Sequence, residues 1–274
     1  IEGNNEFALA LIMIIPLIYF LYQQADQFKW IKQALMLAIL LCAASAIGSY
    51  SRGAFLALIA MGIMFWWRSK QKGTMTLLVL IVGLAMIPMM PEQWFSRMET
   101  ISAYEEDQSA MGRINAWIVA WEVAKSHFFG AGMSYQHDFL FATFGPYEAK
   151  ARAAHSIYFQ VLGNHGFIGL ILFLMVFVST YRTAGWLRKH GRDQQESSWA
   201  ADLGAMIQVG LIGYAVGGAF LSLAYFDLPY NMMIMAVVTK HWVVTKGWER
   251  DPKVPFVEYL GFKKRAAPSH RQKP

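Results

Sequence analysis

Three side chains in this sequence, Arg52, Arg113 and His155, are of types that could work together on a substrate carrying a diphosphate and a hydroxyl. Arg52 lies in Ser49-Tyr50-Ser51-Arg52-Gly53, a turn between two apolar stretches that is too tight to reach far into water. A guanidinium held at a membrane surface presents a fork of donors that matches a phosphate and stays charged when partly desolvated. An interfacial arginine that merely snorkels fits the same position. Arg113 opens an amphipathic pattern, and at a helix start a cation opposes the helix dipole. A bound anion would resolve that conflict, and a solvent-exposed arginine would tolerate it. His155 sits in Ala153-Ala154-His155-Ser156-Ile157-Tyr158. With an ordinary pKa of about 6.5, a histidine can accept a proton from a hydroxyl near neutral pH, although a lone histidine is more often structural. Two arginines for a diphosphate and one histidine for a hydroxyl would suffice for glycosyl transfer from a lipid diphosphate. His127, His137 and His165 lack the i, i+4 spacing or the nearby carboxylates of a metal site. No P-loop, dinucleotide fingerprint or cysteine-nucleophile pattern occurs, so neither a metal nor an organic cofactor is expected.

The elements that must position these residues are membrane spans. The chain has 274 residues, of which 56% are hydrophobic and 15% charged, against about 25% charged in an ordinary soluble domain. With a single cysteine, Cys42, it is no disulfide scaffold, and it is too hydrophobic to be a disordered chain. Between Glu6 and Asp26, between Lys32 and Arg52, and between Lys72 and Glu92 lie 19 uncharged residues each. Arg152 to Arg182 encloses 29 and Asp202 to Asp227 encloses 24. Bilayer spans need about 20 apolar residues. Gly53 to Trp67 is shorter, and Leu228 to Thr245 suffices if Lys240 and His241 snorkel. The expected fold is therefore all-α, a polytopic integral membrane protein of about seven transmembrane helices with one large outer loop that contains helices.

Charge supplies an independent check on that count through the positive-inside rule. Seven spans place 18 cations and 7 anions on one side, a net +11, and 6 cations and 11 anions on the other, a net −5. The basic side is the cytoplasm and the acidic side is outside. The overall charge of +6 thus records orientation, and no nucleic-acid partner is expected. The predicted organisation is four spans over residues 1–91, an outer loop over 92–165, three spans over 166–245 and a basic cytoplasmic tail over 246–274. Lys263, Lys264 and Arg265 in that tail suit either attraction to anionic lipid or a solvated charge run.

Within the outer loop, Ile114, Trp117, Ile118 and Trp121 recur at i, i+3, i+4 and i+7, which predicts an amphipathic helix beginning at Arg113. Its tryptophans suit either the headgroup level of a bilayer or packing on neighbouring elements. Phe129-Gly130-Ala131-Gly132-Met133 breaks that helix, and His155 to Leu162 predicts a further helical turn or two that ends at Gly163 and leads through Gly166 into the next span. Glu105-Glu106-Asp107 reads as a solvated acidic tip. The spans carry no Asp or Glu away from their ends, which weakens ion-coupled transport and leaves a facilitated exporter of glycan or lipid as the non-enzymatic alternative.

Ser51-Arg52-Gly53-Ala54-Phe55-Leu56-Ala57-Leu58, Gly112-Arg113-Ile114-Asn115-Ala116-Trp117, Gly130-Ala131-Gly132, and His155-Ser156-Ile157-Tyr158 with Leu162 and Gly166 to Gly169 follow one another in order. In that order they resemble the O-antigen ligase and polymerase superfamily, and among its members the O-glycosylation ligases that accompany bacterial exosortase systems. The resemblance implies a metal-independent, inverting glycosyltransferase of the bacterial inner membrane. Such an enzyme moves a glycan from undecaprenyl diphosphate to the hydroxyl of a lipid or protein acceptor at the periplasmic face. It assigns Arg52 and Arg113 to the diphosphate and His155 to the acceptor hydroxyl. A polymerase of the same superfamily, which joins lipid-linked units to each other, is the alternative within this chemistry. Members often carry Glu where this chain has Asn164, and they have further helices before the Asn4-Asn5 lead, so the resemblance also implies that the chain is a C-terminal portion.

Overall fold

A long apolar run must satisfy its backbone hydrogen bonds within itself, and a single segment achieves this only as a helix. The computed structural model of the chain describes residues 3–25, 29–49, 51–68, 73, 108–133, 135–147 and 150–250. Among these, the regular structure is helical throughout, in the order α1 (Asn4–Gln24), α2 (Lys29–Gly48), α3 (Arg52–Arg68), α4 (Gln108–Ser126), α5 (Asp138–Phe144), α6 (Ile157–His190), α7 (Ser198–Gly217) and α8 (Asp227–Val244), with short 3-10 turns after α6, α7 and α8.

Four of these helices are long and apolar enough to cross a membrane: α1, α2, α6 with its turn to Asp193, and α7 with its turn to Phe220. The apolar stretch of α3, Gly53–Trp67, is shorter, and α8 has 18 residues with Lys240 and His241 in its last turns. The expected span from Lys72 to Glu92 lies outside the described residues except for Gly73, as do the acidic tip and the basic tail beyond Arg250.

The core is built around α7. Two thirds of its most apolar window, 67%, is buried, against 6% for α2, which therefore lies at the periphery with Leu37, Leu40 and Leu41 outward. Close approach to α7 depends on its small residues. A Cβ on Gly217 would stand 2.5 Å from Leu9 Cδ1 of α1 and 3.1 Å from Ala57 Cβ of α3, and one on Gly204 would stand 2.8 Å from Leu187 Cβ of α6. One on Gly210 would meet Met232 Cε of α8 at 2.8 Å. Gln208, 3% exposed, satisfies its amide by donating to the carbonyl of Tyr181 at 2.9 Å. These contacts bring the first turns of α1 and α3 to the end of the bundle where α7 finishes and α6 begins.

Two local expectations change. The helix after His155 does not end at Gly163. It continues to Gly166, whose φ of 66° and ψ of −168° break it, a backbone region that only glycine occupies readily. Gly163 instead admits the ring of Tyr135, which a Cβ there would approach to 2.6 Å. The helix expected to begin at Arg113 starts at Gln108, five residues earlier, because Gln108 to Gly112 continue the helix without adding to the aromatic stripe. The helix-dipole argument for Arg113 lapses with this, since the effect fades within the first turn. The fully buried face of α4 is its line of small residues, Ala116, Val119, Ala120 and Val123, while the Ile114, Trp117, Ile118 and Trp121 stripe is half-buried or exposed.

Candidate active site

Each candidate residue is set by a local feature. Ser51, 6% exposed, caps α3 by accepting the Ala54 backbone N–H at 3.3 Å, which fixes Arg52 as the first residue of the helix. Gly53 then packs on the end of α7, where a Cβ would lie 3.3 Å from Phe220 Cβ and 3.5 Å from the Gly217 carbonyl. The neighbouring Gly218 faces Ile157 of α6 at 2.7 Å on the same measure. The backbone of Arg52 and the segment carrying His155 therefore meet across the Gly217–Ser222 turn.

His155 has a φ of 45°, a left-handed conformation that costs a branched or bulky residue about 1–3 kcal/mol unless its surroundings impose it. Two hydrogen bonds impose it. The His155 N–H donates to Ser222 Oγ at 2.9 Å, and the indole N–H of Trp117 donates to the carbonyl of Ala154 at 2.6 Å. Trp117 also stacks on Phe159, with centroids 5.0 Å apart and planes 7° from parallel. Of the two expectations for the α4 tryptophans, Trp117 thus takes the packed one. Its role is to tie α4 to the start of α6.

Burial lowers the pKa of the His155 imidazole, the Arg113 guanidinium lowers it further and the Glu6 carboxylate raises it. The histidine therefore has a cation from α4 and an anion from the first turn of α1 within electrostatic reach. Arg113 Nε is buried with no hydrogen-bond partner, so part of the guanidinium has lost its water without gaining an acceptor. A second cation is close by, because the Arg152 side chain crosses Gly112, where a Cβ would lie 2.8 Å from its Cδ and 3.2 Å from an Nη.

The structure thus brings Arg113 and His155 together and sets the backbone of Arg52 at the same end of the bundle, the Arg52 side chain lying outside the described residues. Sequence reasoning missed Glu6, Arg152, Ser222 and Trp117. Glu6 carried a signal, an acid in the first turn of a span, but was read only as a boundary. Ser222 carried none, since its contact bridges 67 positions.

About two turns further along α6, Asn164 donates to the Tyr225 hydroxyl at 2.7 Å, and that hydroxyl lies 3.0 Å from His165 Nε2. Gln160 accepts the Ala224 N–H at 3.1 Å. These bonds pin the loop that carries Ser222, and Asn164 has this supporting place where the resemblance expects an acid. Among the described residues, no three His, Cys, Asp or Glu side chains gather as a metal site would require.

No curated protein matches the chain. Residues 37–174 match the family described as O-Antigen ligase, Wzy_C, a stretch that runs from α2 into α6 and contains Arg52, Arg113 and His155.

Proposed function

The chain belongs to the O-antigen ligase family, whose members transfer lipid-linked glycans, and from that premise we propose that it moves a glycan from undecaprenyl diphosphate to an acceptor hydroxyl at the periplasmic face of the bacterial inner membrane. The observation that carries this reading is the electrostatic pairing of a half-buried, neutral-leaning His155 with Arg113, whose buried Nε still lacks an acceptor. His155 takes the proton of the acceptor hydroxyl as its oxygen attacks the anomeric carbon. The bond from that carbon to the diphosphate oxygen breaks, and the diphosphate departs with one more negative charge. A single displacement of this kind inverts the anomeric centre.

Charge builds on the leaving diphosphate, so Arg52 and Arg113 stabilise the transition state more than the bound donor. The polyprenyl chain lies among the apolar helices. The seven-span arrangement puts residues 92–165 in the periplasm and 246–274 in the cytoplasm, the sidedness that the charge asymmetry supports.

The test is glycan transfer by purified full-length protein supplied with a lipid-diphosphate glycan, with and without a candidate acceptor. His155→Ala, Arg52→Ala and Arg113→Ala should each lower transfer by at least about a hundredfold at equal protein levels. Transfer at the wild-type rate by the His155 variant would remove the base assignment. Product formed only when acceptor is present marks a ligase, and self-extension of the donor marks a polymerase.

A further inference from the structure

The outward face of α6 carries one unbroken helical stripe that the proposed reaction leaves unused. Ile171, Leu174, Met175 and Val178 form its apolar part, Arg182 follows one turn later, and Trp186 closes the stripe. With Lys240 of α8 they line a groove of about 690 Å³. The Lys240 ammonium is held over the Trp186 ring, 5.4 Å from its centroid, which fixes a second cation beside Arg182. No carboxylate lines the groove.

Length narrows the choice of occupant. From Ile171 to Arg182 the helix rises by about 16 Å at 1.5 Å per residue, close to half of the ~30 Å hydrocarbon core. The stripe is therefore apolar over the depth of one leaflet and cationic where that leaflet's phosphates lie. A zwitterionic annular lipid would fill the apolar part equally well, but its ammonium offsets its phosphate, so it brings no net charge to balance the two cations.

We propose that this groove is a binding site for an anionic phospholipid of the leaflet opposite the His155 end, its acyl chain along Ile171 to Val178 and its phosphate on Arg182 and Lys240. The site is independent of the transfer chemistry and of which side of the membrane the His155 end faces.

The test is native mass spectrometry of the purified chain released from mixed phosphatidylglycerol and phosphatidylcholine. The wild type should retain phosphatidylglycerol over phosphatidylcholine by roughly thirtyfold, from about a factor of five per cation near the surface. Arg182→Gln with Lys240→Gln should abolish the preference while leaving thermal stability in detergent unchanged. Val178→Trp, which fills the apolar part and keeps both cations, should lower retention of both lipids. Inorganic phosphate in excess should not compete, since it lacks the acyl chain. Equal retention of the two lipids by the wild type would overturn the proposal, as would a double variant that keeps the preference, or competition by inorganic phosphate. So would retention of a second copy of the chain in place of lipid. Glycan transfer is scored separately, so failure here leaves the proposed reaction standing and the reverse also holds.

Discussion

Burial and the Arg113 guanidinium both pull the His155 imidazole below its ordinary pKa, and the Glu6 carboxylate opposes them. As the proposed base, His155 must be unprotonated to act, so a lowered pKa leaves it competent through neutral pH and removes that competence only as pH falls through the shifted value. The acid limb of the transfer rate against pH should therefore break below about 6.5, the ordinary value for histidine. Arg113→Gln should move the break upward and Glu6→Gln downward. A limb in the wild type centred above the ordinary value would contradict the arrangement. Ser222 acts differently, by holding the His155 backbone in its left-handed turn. Ser222→Ala should cost about 1 kcal/mol of stability and reduce the maximal rate without changing the pH break, and Ser222→Thr should restore the rate. At this scale the sequence was half legible. Residue type singles out Arg52, Arg113 and His155, and an acid in the first turn of a span marks Glu6, but nothing local discloses Ser222, whose contact only the fold makes.

Among the elements, the junction at Gly166 combines two constraints that can be separated experimentally. Its φ is +66°, and a Cβ there would stand 3.0 Å from the Phe128 carbonyl carbon and 2.9 Å from the Gly130 nitrogen. Gly132 has a φ of +79° and open space around it. Gly132→Ala should thus cost about 1 kcal/mol from backbone strain alone, whereas Gly166→Ala adds a collision with backbone and should cost about 3 kcal/mol or more. Thermal unfolding in detergent by intrinsic tryptophan fluorescence would show the difference, and equal losses would mean that the close approach carries no weight. The junction also shows why boundaries were harder to read than helices. Apolar length announced α1, α2, α6 and α7 because a run that long has no other way to satisfy its backbone. The end of the turn after His155 was misplaced at Gly163 because glycine there serves the Tyr135 ring across space, and sequence does not distinguish a glycine that breaks a helix from one that admits a neighbour. Likewise the aromatic stripe of α4, which suits a bilayer interface and packing equally well, is half-buried or exposed, while the small residues opposite are fully buried.

For the molecule as a whole, orientation is the property that charge alone predicts, and impermeant labelling can read it. With Cys42 replaced by Ser, a cysteine at Tyr147, 58% exposed, should react with a membrane-impermeant maleimide in spheroplasts. One at Lys246, exposed beyond α8, should react only after permeabilisation. The reverse pattern would invert the orientation and place His155 in the cytoplasm. The break at Gly166 has a mechanical consequence on this scale. Above it, Ile157 to Asn164 is bound to the loop that follows α4, because the N–H groups of Ala131 and Gly132 donate to the carbonyls of Gly163 and Asn164 at 3.0 and 2.9 Å. Below it, α6 runs to a cluster of indoles, Trp186 near its own end and Trp199 tilted against Trp242 with centroids 5.4 Å apart, side chains that prefer a membrane interface. A bilayer thicker or thinner than the lower segment is accommodated by a change of tilt. Because α6 is broken at Gly166 and is not one straight rod, that tilt is not carried rigidly into the turn that holds His155.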